Sequence, residues 1–453
     1  MKVLWATQQR MLKRSPRSEA GRLSDSAAFR AVVVLFFLWG FLTCLNDTLV
    51  PHFRALFALS YAHVVLIPFT FFGTCFAFAP LSSVFIERLG YRRTMVTGLF
   101  IMGAGALLFL PAAQTGRFAG FLAAIGVIGA GITVLQAAAG PYVAFLGPPE
   151  TAPSRFSLAL AFNSLGTMVA PLFGSWFILR TPSDFSPSHD MAASSIESRL
   201  QALNVVRGPY LFLGLALILL AIAVTFSGLP QMRTAPDPPA TATIVKNLFR
   251  HRPLLFGAMT AFLYAGAEVG IGSFLISFLS QREILDVSRH NAAQLAAIYW
   301  GGAVLGRFFG WRLLQRMRPE AVLAAVSTAA GMLVTLAVVS HGIVAGAALL
   351  AVGLCNALIV PIVVMLSIVG LGPLTSRASS VMVSANVGAG LVPLALGAMA
   401  DRVGIHHALA LTVLCYGCAI CYALWGSRGH LVQPHKTGRR FGPEVAAPGS
   451  LYE

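Results

Sequence analysis

Two carboxyl groups lie inside long apolar stretches of the chain. Of its sixteen aspartates and glutamates, only Asp47 and Glu268 occupy such stretches. A charged side chain at the centre of a bilayer costs about 3 kcal/mol unless it faces a partner or a water-filled cavity. Ionisable residues at that depth therefore mark paths for substrates, ions or protons, and the two acids predict a transport protein.

Amide side chains occur in the same stretches. An amide offers two donors and one acceptor, which suits a ligand rich in hydroxyl groups, and a nearby aromatic ring can cover the apolar face of such a ligand. The alternative for each amide is a hydrogen bond that ties two neighbouring helices together. The candidates for substrate binding are Gln136, Asn163, Asn356, Asn46, Trp39 and Trp300.

The elements that must position these residues are membrane-spanning helices. A helix needs roughly 20 mostly apolar residues to cross the hydrocarbon core. With 57% hydrophobic and 11% charged residues, the 453-residue chain supplies such segments repeatedly. We predict an all-α membrane protein with twelve transmembrane helices, called spans 1 to 12 in chain order. They are residues 30–51, 63–86, 94–112, 118–145, 157–179, 208–229, 254–279, 292–314, 321–340, 343–368, 379–400 and 405–426.

The distribution of Lys and Arg predicts the orientation. If the N-terminus is cytoplasmic, 23 of the 32 Lys and Arg residues lie on its side of the membrane. Basic residues favour the cytoplasmic side, so both termini are expected there. The net charge of +16 thus reflects membrane orientation, and no nucleic acid is expected as a partner. No cleavable signal peptide is expected, and a bacterial inner membrane is the predicted location.

A proline-rich stretch divides the spans into six and six. Its prolines interrupt a continuous helix, and its end is basic. Two six-helix bundles are therefore expected, with a central site between them at the bilayer midplane. The predicted parts are a basic leader 1–29, a first bundle 30–229, a cytoplasmic linker 230–253, a second bundle 254–426 and a cytoplasmic tail 427–453.

The connector after span 2 reads SVFIERLGYRR over residues 83–93. It resembles the loop signature of the major facilitator superfamily, with Ser83 in place of the usual Gly and Glu87 in place of the usual Asp. An acid flanked by arginines at a helix end can form an ion pair that joins two bundles in one state and opens in the other. We expect this gating role for Glu87, Arg88 and Arg92.

The sequence GAMADRVG at residues 397–404 repeats this pattern after span 11. In the predicted topology it lies on the outer side, as expected for inverted repeats within each half. Asp401 and Arg402 are therefore candidates for a second gating contact. An ordinary solvated turn with topology-setting arginines is an equal alternative.

Several segments inside the spans are similar to the fucose–proton symporter family of that superfamily. They occur in the family's order and extend the resemblance over residues 30–426. The resemblance implies uptake of a monosaccharide such as glucose, galactose or fucose, coupled to a cation gradient. The segments are FLWGFLTCLND (37–47), LQAAAGPY (135–142), AFNSLGT (161–167), YAGAEVGIGS (264–273), YWGGAVLGR (299–307) and GLCNALIVP (353–361).

The same resemblance suggests roles for individual residues. Asp47 matches the acid that the family uses for proton coupling, and Asn163 matches a sugar contact. Where fucose permease has a second carboxylate, this chain has Gln136, which cannot titrate but can bind sugar hydroxyls. Coupling is then expected to rest on Asp47 alone, with a proton as the coupling ion and sodium as the alternative.

Glu268 lies one span before Arg307. We expect a structural or gating ion pair between them, with a second proton site at Glu268 as the alternative. A proton antiporter that exports a drug or metabolite is the alternative function for the same fold.

No enzyme activity, cofactor or metal site is expected. Nucleotide-binding loops and Ser-His-Asp patterns are absent from the sequence. All six cysteines fall within spans, where they behave as small apolar residues. Histidines near the span ends are expected to be solvated at the membrane interface. These histidines near the span ends are His52, His63, His341, His406 and His407.

The expected partners are the sugar and the lipid bilayer, and the protein is expected to act as a monomer.

Overall fold

The computed structural model describes residues 19–146, 152–179, 196–227, 229, 251–368 and 375–426. Within these ranges every regular element is a helix. Most of the predicted leader and linker, and all of the predicted tail, lie outside the described residues.

The first six spans consist of seven helices. Span 2 begins with a short helix and runs into the longest one, which also forms most of span 3. The helices are Glu19–Leu56, Tyr61–Val64, Leu66–Leu107, Phe109–Thr115, Phe118–Phe145, Ala152–Phe177 and Ile196–Phe226.

The described residues of the last six spans form seven α-helices and one 3-10 helix. Span 11 contains a short 3-10 turn near its middle, and span 12 starts within the helix that ends span 11. The helices are Arg252–Leu279, Arg289–Arg316, Pro319–Val339, Gly342–Ile368, Thr375–Ser384, Ala385–Val387 (3-10), Gly388–Ala408 and Ala410–Trp425.

Ten segments of the described helices are long and apolar enough to cross a membrane. The other two predicted spans fall short for local reasons. Span 8, Arg289–Arg316, carries four arginines that lower its hydropathy. The separate helix of span 12, Ala410–Trp425, is only 16 residues long because the first turn of that span belongs to the preceding helix.

Glycines with positive φ join spans 2 and 3 and spans 11 and 12. Gly90 has φ 76° and ψ 169°, and Gly404 has φ 82° and ψ 157°. Each glycine follows the acid–arginine pair of its motif by the same number of residues. A side chain at such φ values is strained, so the two related motifs share a backbone turn that favours glycine.

The helices form two bundles. In the first bundle, span 1 packs on span 5, and span 4 packs on spans 2 and 3. In the second bundle, span 7 packs on span 11 and span 8 on span 10. The bundles meet where span 5 contacts span 8, where span 2 contacts span 11, and where span 1 contacts span 7.

Glycines permit the closest contacts within a bundle. A Cβ at Gly302 would lie 3.0 Å from the backbone nitrogen of Leu354, and one at Gly306 would lie 2.4 Å from the Leu354 carbonyl oxygen. Spans 8 and 10 therefore pack with their backbones in near contact, as small residues allow in membrane proteins.

Candidate functional site

Asp47 lies where the two bundles meet. The hydroxyl of Ser273 on span 7 donates a hydrogen bond of 2.8 Å to Asp47 Oδ1. Asp47 is half-buried. A carboxyl group of the first bundle is thus held by a donor from the second, so any relative movement of the bundles changes its surroundings.

Trp300 lies beside the same carboxylate. A Cβ at Gly272 would be 3.0 Å from Trp300 Cζ2 and 3.3 Å from Asp47 Oδ2. The absence of a side chain at Gly272 therefore makes room for both groups. The indole of Trp300 packs edge-on against Tyr299, with ring centroids 5.1 Å apart. Of the predicted site residues, the structure brings Asp47 and Trp300 together, and Ser273, which the sequence analysis did not select, joins them.

Two further candidates lie on span 1 near Asp47 in sequence. Trp39 is half-buried and packs against Phe36, with ring centroids 5.4 Å apart. Asn46 is 5% exposed, and its Nδ2 has no hydrogen-bond partner among the described residues. A buried amide nitrogen without a partner is unfavourable, so Asn46 retains an unused donor.

The amides of the first bundle differ in their contacts. Gln136 on span 4 is half-buried, and its amide makes no hydrogen bond within the described part of the chain. Asn163 on span 5 donates from Nδ2 to the Phe36 carbonyl oxygen at 3.0 Å. A Cβ at Gly40 would lie 2.0 Å from the Asn163 carbonyl oxygen, so spans 1 and 5 are in close contact here. Asn163 thus ties two helices, as one sequence alternative anticipates for amides.

Asn356 is enclosed in the core of the second bundle. It is 3% exposed. Its Nδ2 donates to the Tyr299 hydroxyl at 2.8 Å, and its Oδ1 accepts from the Tyr416 hydroxyl at 2.8 Å. The Tyr264 hydroxyl donates to the Asn356 backbone carbonyl at 2.8 Å. The residue thus joins spans 7, 8, 10 and 12 and leaves neither end of its amide for a ligand in this arrangement.

Glu268 and Arg307 influence each other electrostatically without direct contact. The side chains of Glu268 and Arg307 lie near the bundle interface, and their opposite charges attract each other. No ion pair joins them among the described atoms. Arg307 instead donates to the Leu160 carbonyl oxygen on span 5 at 3.1 Å. The predicted pair is therefore a longer-range interaction in this state, and Arg307 links span 8 to the first bundle.

The second loop motif connects the bundles at the predicted outer end. Asp401 Oδ1 accepts from the Tyr61 backbone N–H at 2.6 Å, and Asp401 Oδ2 accepts from the Ala62 backbone N–H at 2.8 Å. A carboxylate at a helix N-terminus satisfies N–H groups that lack partners inside the helix. Asp401 therefore bridges spans 11 and 2 through backbone donors, whereas Arg402 is exposed.

Other contacts between the bundles lie at the same end. Ser175 Oγ is 2.9 Å from His290 Nδ1 and donates to the His290 carbonyl oxygen at 3.1 Å, which joins spans 5 and 8. Tyr61 packs edge-on against Phe274 of span 7, with centroids 5.5 Å apart. The predicted outer end is thus closed by three separate groups of contacts.

The other end of spans 2 and 11 is more open. A Cβ at Gly390 would lie 3.2 Å from the Phe69 Cα, yet further toward the predicted inner end Phe76 is 51% exposed and Val383 is 55% exposed. Glu87 and Arg88 are exposed in the connector at that end. The close packing of the two spans therefore lies toward the predicted outer end.

Arg92 has a different partner from the one its motif suggests. It donates to the carbonyl oxygens of Thr225 and Leu229 at the end of span 6. The contact with Leu229 is 3.2 Å long. Arg92 therefore connects spans 3 and 6 within the first bundle, and these contacts lie on its own side of the interface.

Sequence reasoning gave no role to several residues of this site. Ser273 holds Asp47, Tyr299 and Tyr416 hold Asn356, and Ser175 pairs with His290. The sequence around Ser273 carries no signal that singles it out, because a serine in a helix can equally bond a carbonyl of its own helix.

Comparison with known proteins identifies the fold. Residues 28–393 match the family model of the Major Facilitator Superfamily. The chain belongs to the Major Facilitator Superfamily. The prediction of an all-α protein with twelve helices in two bundles is thereby confirmed, as is a multi-pass membrane protein.

Relatives place the chain within the superfamily. It is 40% identical over 402 residues to a glucose/galactose transporter of Brucella abortus, covering 88% of this chain and 94% of the relative. It is 30% identical to the L-fucose-proton symporter of Escherichia coli, covering 88% and 93%. The resemblance to the fucose–proton symporter family is confirmed, and these relatives are transporters rather than enzymes.

A solved structure agrees with this placement. The crystal structure of the major facilitator transporter FucP in the outward conformation superposes with a TM-score of 0.67 at 29% identity, covering 89% of this chain and 99% of that one. An inward-facing bacterial homologue of the lysosomal transporter Spinster gives a TM-score of 0.68 at 16% identity, which supports the fold alone.

Proposed function

We propose that this protein is a secondary active transporter that couples the uptake of a monosaccharide such as glucose, galactose or fucose to a proton gradient. Support comes from its relatives, which carry the names glucose/galactose transporter and L-fucose-proton symporter. The observation that carries the mechanism is the half-buried Asp47, held by Ser273 across the bundle interface.

Coupling follows from the position of this carboxyl group. In a low-dielectric interior an unpaired carboxylate is unfavourable, so a proton or another cation is needed whenever polar partners withdraw. Movement of the bundles separates or restores the Asp47–Ser273 contact. Asp47 can therefore load a proton when the cavity faces outward and release it when the cavity faces inward.

With the predicted orientation, this arrangement belongs to the inward-facing half of the cycle. The outer end is held closed by Asp401 and by the pair of Ser175 with His290. Opening outward requires these contacts to break. Glu87 and Arg88 are then in position to close the inner end.

The sugar site is proposed to include Gln136, Asn163, Asn46, Trp39 and Trp300. Gln136 and Asn46 have unused amide groups that sugar hydroxyls can satisfy. Asn163 retains its Oδ1 for a ligand while Nδ2 bonds Phe36.

Asn356, by contrast, is proposed to act as a tie between helices, because its amide is already engaged at both ends. Coupling by sodium remains the alternative to coupling by a proton.

The location and orientation of the protein in the membrane are inferred from its relatives and its charge distribution. We propose a bacterial inner membrane, with both termini cytoplasmic and the monomer as the functional unit. Reporter fusions to each terminus, one active only in the cytoplasm and one only outside it, decide the orientation. Light scattering of the purified protein in detergent decides the oligomeric state.

Uptake into vesicles tests the function. Purified protein in proteoliposomes should accumulate labelled galactose, glucose or fucose when a proton gradient is imposed, and accumulation should stop when an uncoupler removes the gradient. A sodium gradient supplies the second arm. If neither gradient drives accumulation of any of the three sugars, symport is wrong. Proton-driven export of an apolar cation without sugar uptake would instead favour the antiporter.

A further inference from the structure

Three side chains meet at the predicted outer end of the second bundle. They come from the loop after span 7, the connection between spans 9 and 10, and the first turn of span 12. Each of Glu283, His341 and His406 offers one ligand atom, and these atoms all lie within 4.8 Å of one another. None of these residues takes part in the proposed sugar site.

The buried histidine of this group has a fixed tautomer. His406 is 5% exposed, and its Nε2 lies 2.8 Å from the Ala337 carbonyl oxygen. A carbonyl only accepts, so Nε2 carries a proton, and in the neutral imidazole Nδ1 then presents a lone pair. That Nδ1 atom is buried and has no hydrogen-bond partner in the described structure. Histidines that bind metals commonly donate the other ring N–H to a backbone carbonyl in this way.

Backbone contacts hold the two exposed residues, Glu283 and His341, beside His406. The Gly342 N–H donates to the Glu283 carbonyl oxygen at 2.9 Å, which fixes the loop after span 7 to the residue that follows His341. Gly342 has φ +63°, a value that favours glycine at this turn. The rings of His341 and His406 lie 5.0 Å apart at 78°. The backbone contact between Gly342 and Glu283 and the packing of the two rings thus place the three residues next to one another.

We propose that Glu283, His341 and His406 form a binding site for a divalent transition-metal ion of the zinc type. Two imidazoles and one carboxylate are a ligand set that zinc accepts, with a fourth position left for water. Ligand atoms around a tetrahedral zinc lie about 3.3–3.6 Å apart, so the exposed side chains need to move by only about 1 Å. The histidines that the sequence leaves as solvated interface residues therefore include a ligand pair.

The site lies wholly within the second bundle. Its ligands join the ends of spans 7, 9, 10 and 12, and none comes from the first bundle. Bound metal therefore moves with its bundle during transport and stabilises the folded protein, because an ion that binds only the native state raises its stability.

Zinc binding to the full-length protein tests the proposal. The protein is purified in detergent without a histidine tag, treated with a chelator, and titrated with ZnCl₂ by calorimetry and by thermal melting. The variants are His341→Ala, Glu283→Gln and His406→Ala. His407→Ala is the matched control, because His407 is the exposed neighbour of His406 and does not belong to the three-residue group.

The expected result is one zinc per protein, a saturable rise in melting temperature, and binding at least about tenfold weaker in His341→Ala and His406→Ala. His407→Ala should bind as wild type does. Binding that is unchanged in His341→Ala and Glu283→Gln, whose side chains are exposed and whose folding is not at risk, would overturn the proposal. Absence of stoichiometric binding to the wild type, or its loss in His407→Ala, would also overturn it.

Discussion

At the scale of single residues, Asp47 accepts a hydrogen bond from a side-chain hydroxyl of the opposite bundle. Most hydroxyl groups in the spans bond a carbonyl of their own helix, as Thr260 does with Phe256 and Ser164 with Leu160. Ser273 instead reaches a different helix in the other half of the molecule. A contact of this kind lets the charge state of one side chain influence how the bundles are arranged.

Substitution of Ser273 tests this link. Ser273→Ala removes the hydrogen bond to Asp47, and bonds to charged groups contribute about 1.5–3 kcal/mol. Gradient-driven sugar uptake should therefore fall by about tenfold or more. Ser327→Ala is the matched control, because Ser327 is fully buried on span 9 and its hydroxyl has no partner among the described residues. Uptake by Ser273→Ala equal to that of the control would show that the bond does not matter for coupling.

Substitution of Asn356 tests whether its buried amide binds the sugar or ties neighbouring helices together. Asn356→Ala leaves the hydroxyls of Tyr299 and Tyr416 without their partner, and each buried unpaired group costs about 1–3 kcal/mol. The melting temperature should fall by several degrees, while the KM for sugar in the folded protein stays unchanged. Asn386→Ala, in the exposed 3-10 turn, should melt as wild type does. A large rise in KM with an unchanged melting temperature would restore Asn356 as a sugar ligand.

The sequence predicted the site unevenly at this scale. The scarcity of acids in the spans selected Asp47 and Glu268 as candidates, because lipid makes each such residue costly, and the family resemblance then pointed to Asp47 for proton coupling. The partner Ser273 could not be selected, because a serine in a helix can equally bond a carbonyl four residues back, as Ser367 does. Nor could the tie at Asn356 be predicted, because it depends on tyrosines from two other helices.

At the scale of helices, the span boundaries were predicted less well than the spans. The helix of span 6 begins at Ile196, before the predicted start of that span at residue 208. The helix of span 11 begins at Thr375 and is interrupted by a 3-10 turn. Hydropathy detects the apolar core of a span, whereas helices continue into the interface where polar residues are solvated. A local change of backbone dihedral angles, such as the 3-10 turn in span 11, does not alter the hydropathy of the sequence.

A cross-link between spans 5 and 8 tests the closed end. In a cysteine-free background, Ser175→Cys with His290→Cys places two thiols where the native side chains are 2.9 Å apart. A short bis-methanethiosulfonate reagent, each end of which forms a disulfide with one cysteine and releases methanesulfinate, should stop uptake because the predicted outer end can then no longer open. Reductant should restore uptake, and each single cysteine variant should remain active after the same treatment. Undiminished uptake by the cross-linked protein would mean that these contacts are not part of the gate.

At the scale of the whole molecule, the two loop motifs are related by conformation as well as by sequence. Gly90 and Gly404 have nearly the same dihedral angles after the pairs Glu87–Arg88 and Asp401–Arg402. One acid is engaged with the opposite bundle and the other is exposed. Inverted repeats relate the two ends of the molecule, and we propose that the two acids are used in turn to close the two ends.

The central claim is that Asp47 couples sugar movement to the proton gradient. Asp47→Asn keeps the size of the side chain and an acceptor for Ser273 but removes the titratable group. Asp286→Asn is the control, because Asp286 is exposed in the loop after span 7.

The decisive measurement compares gradient-driven accumulation of labelled galactose with its equilibrium exchange in proteoliposomes of wild type and the two variants. We predict that Asp47→Asn loses accumulation and keeps exchange, while Asp286→Asn matches wild type in both. Proton-driven accumulation by Asp47→Asn at the wild-type level would contradict the proposed coupling.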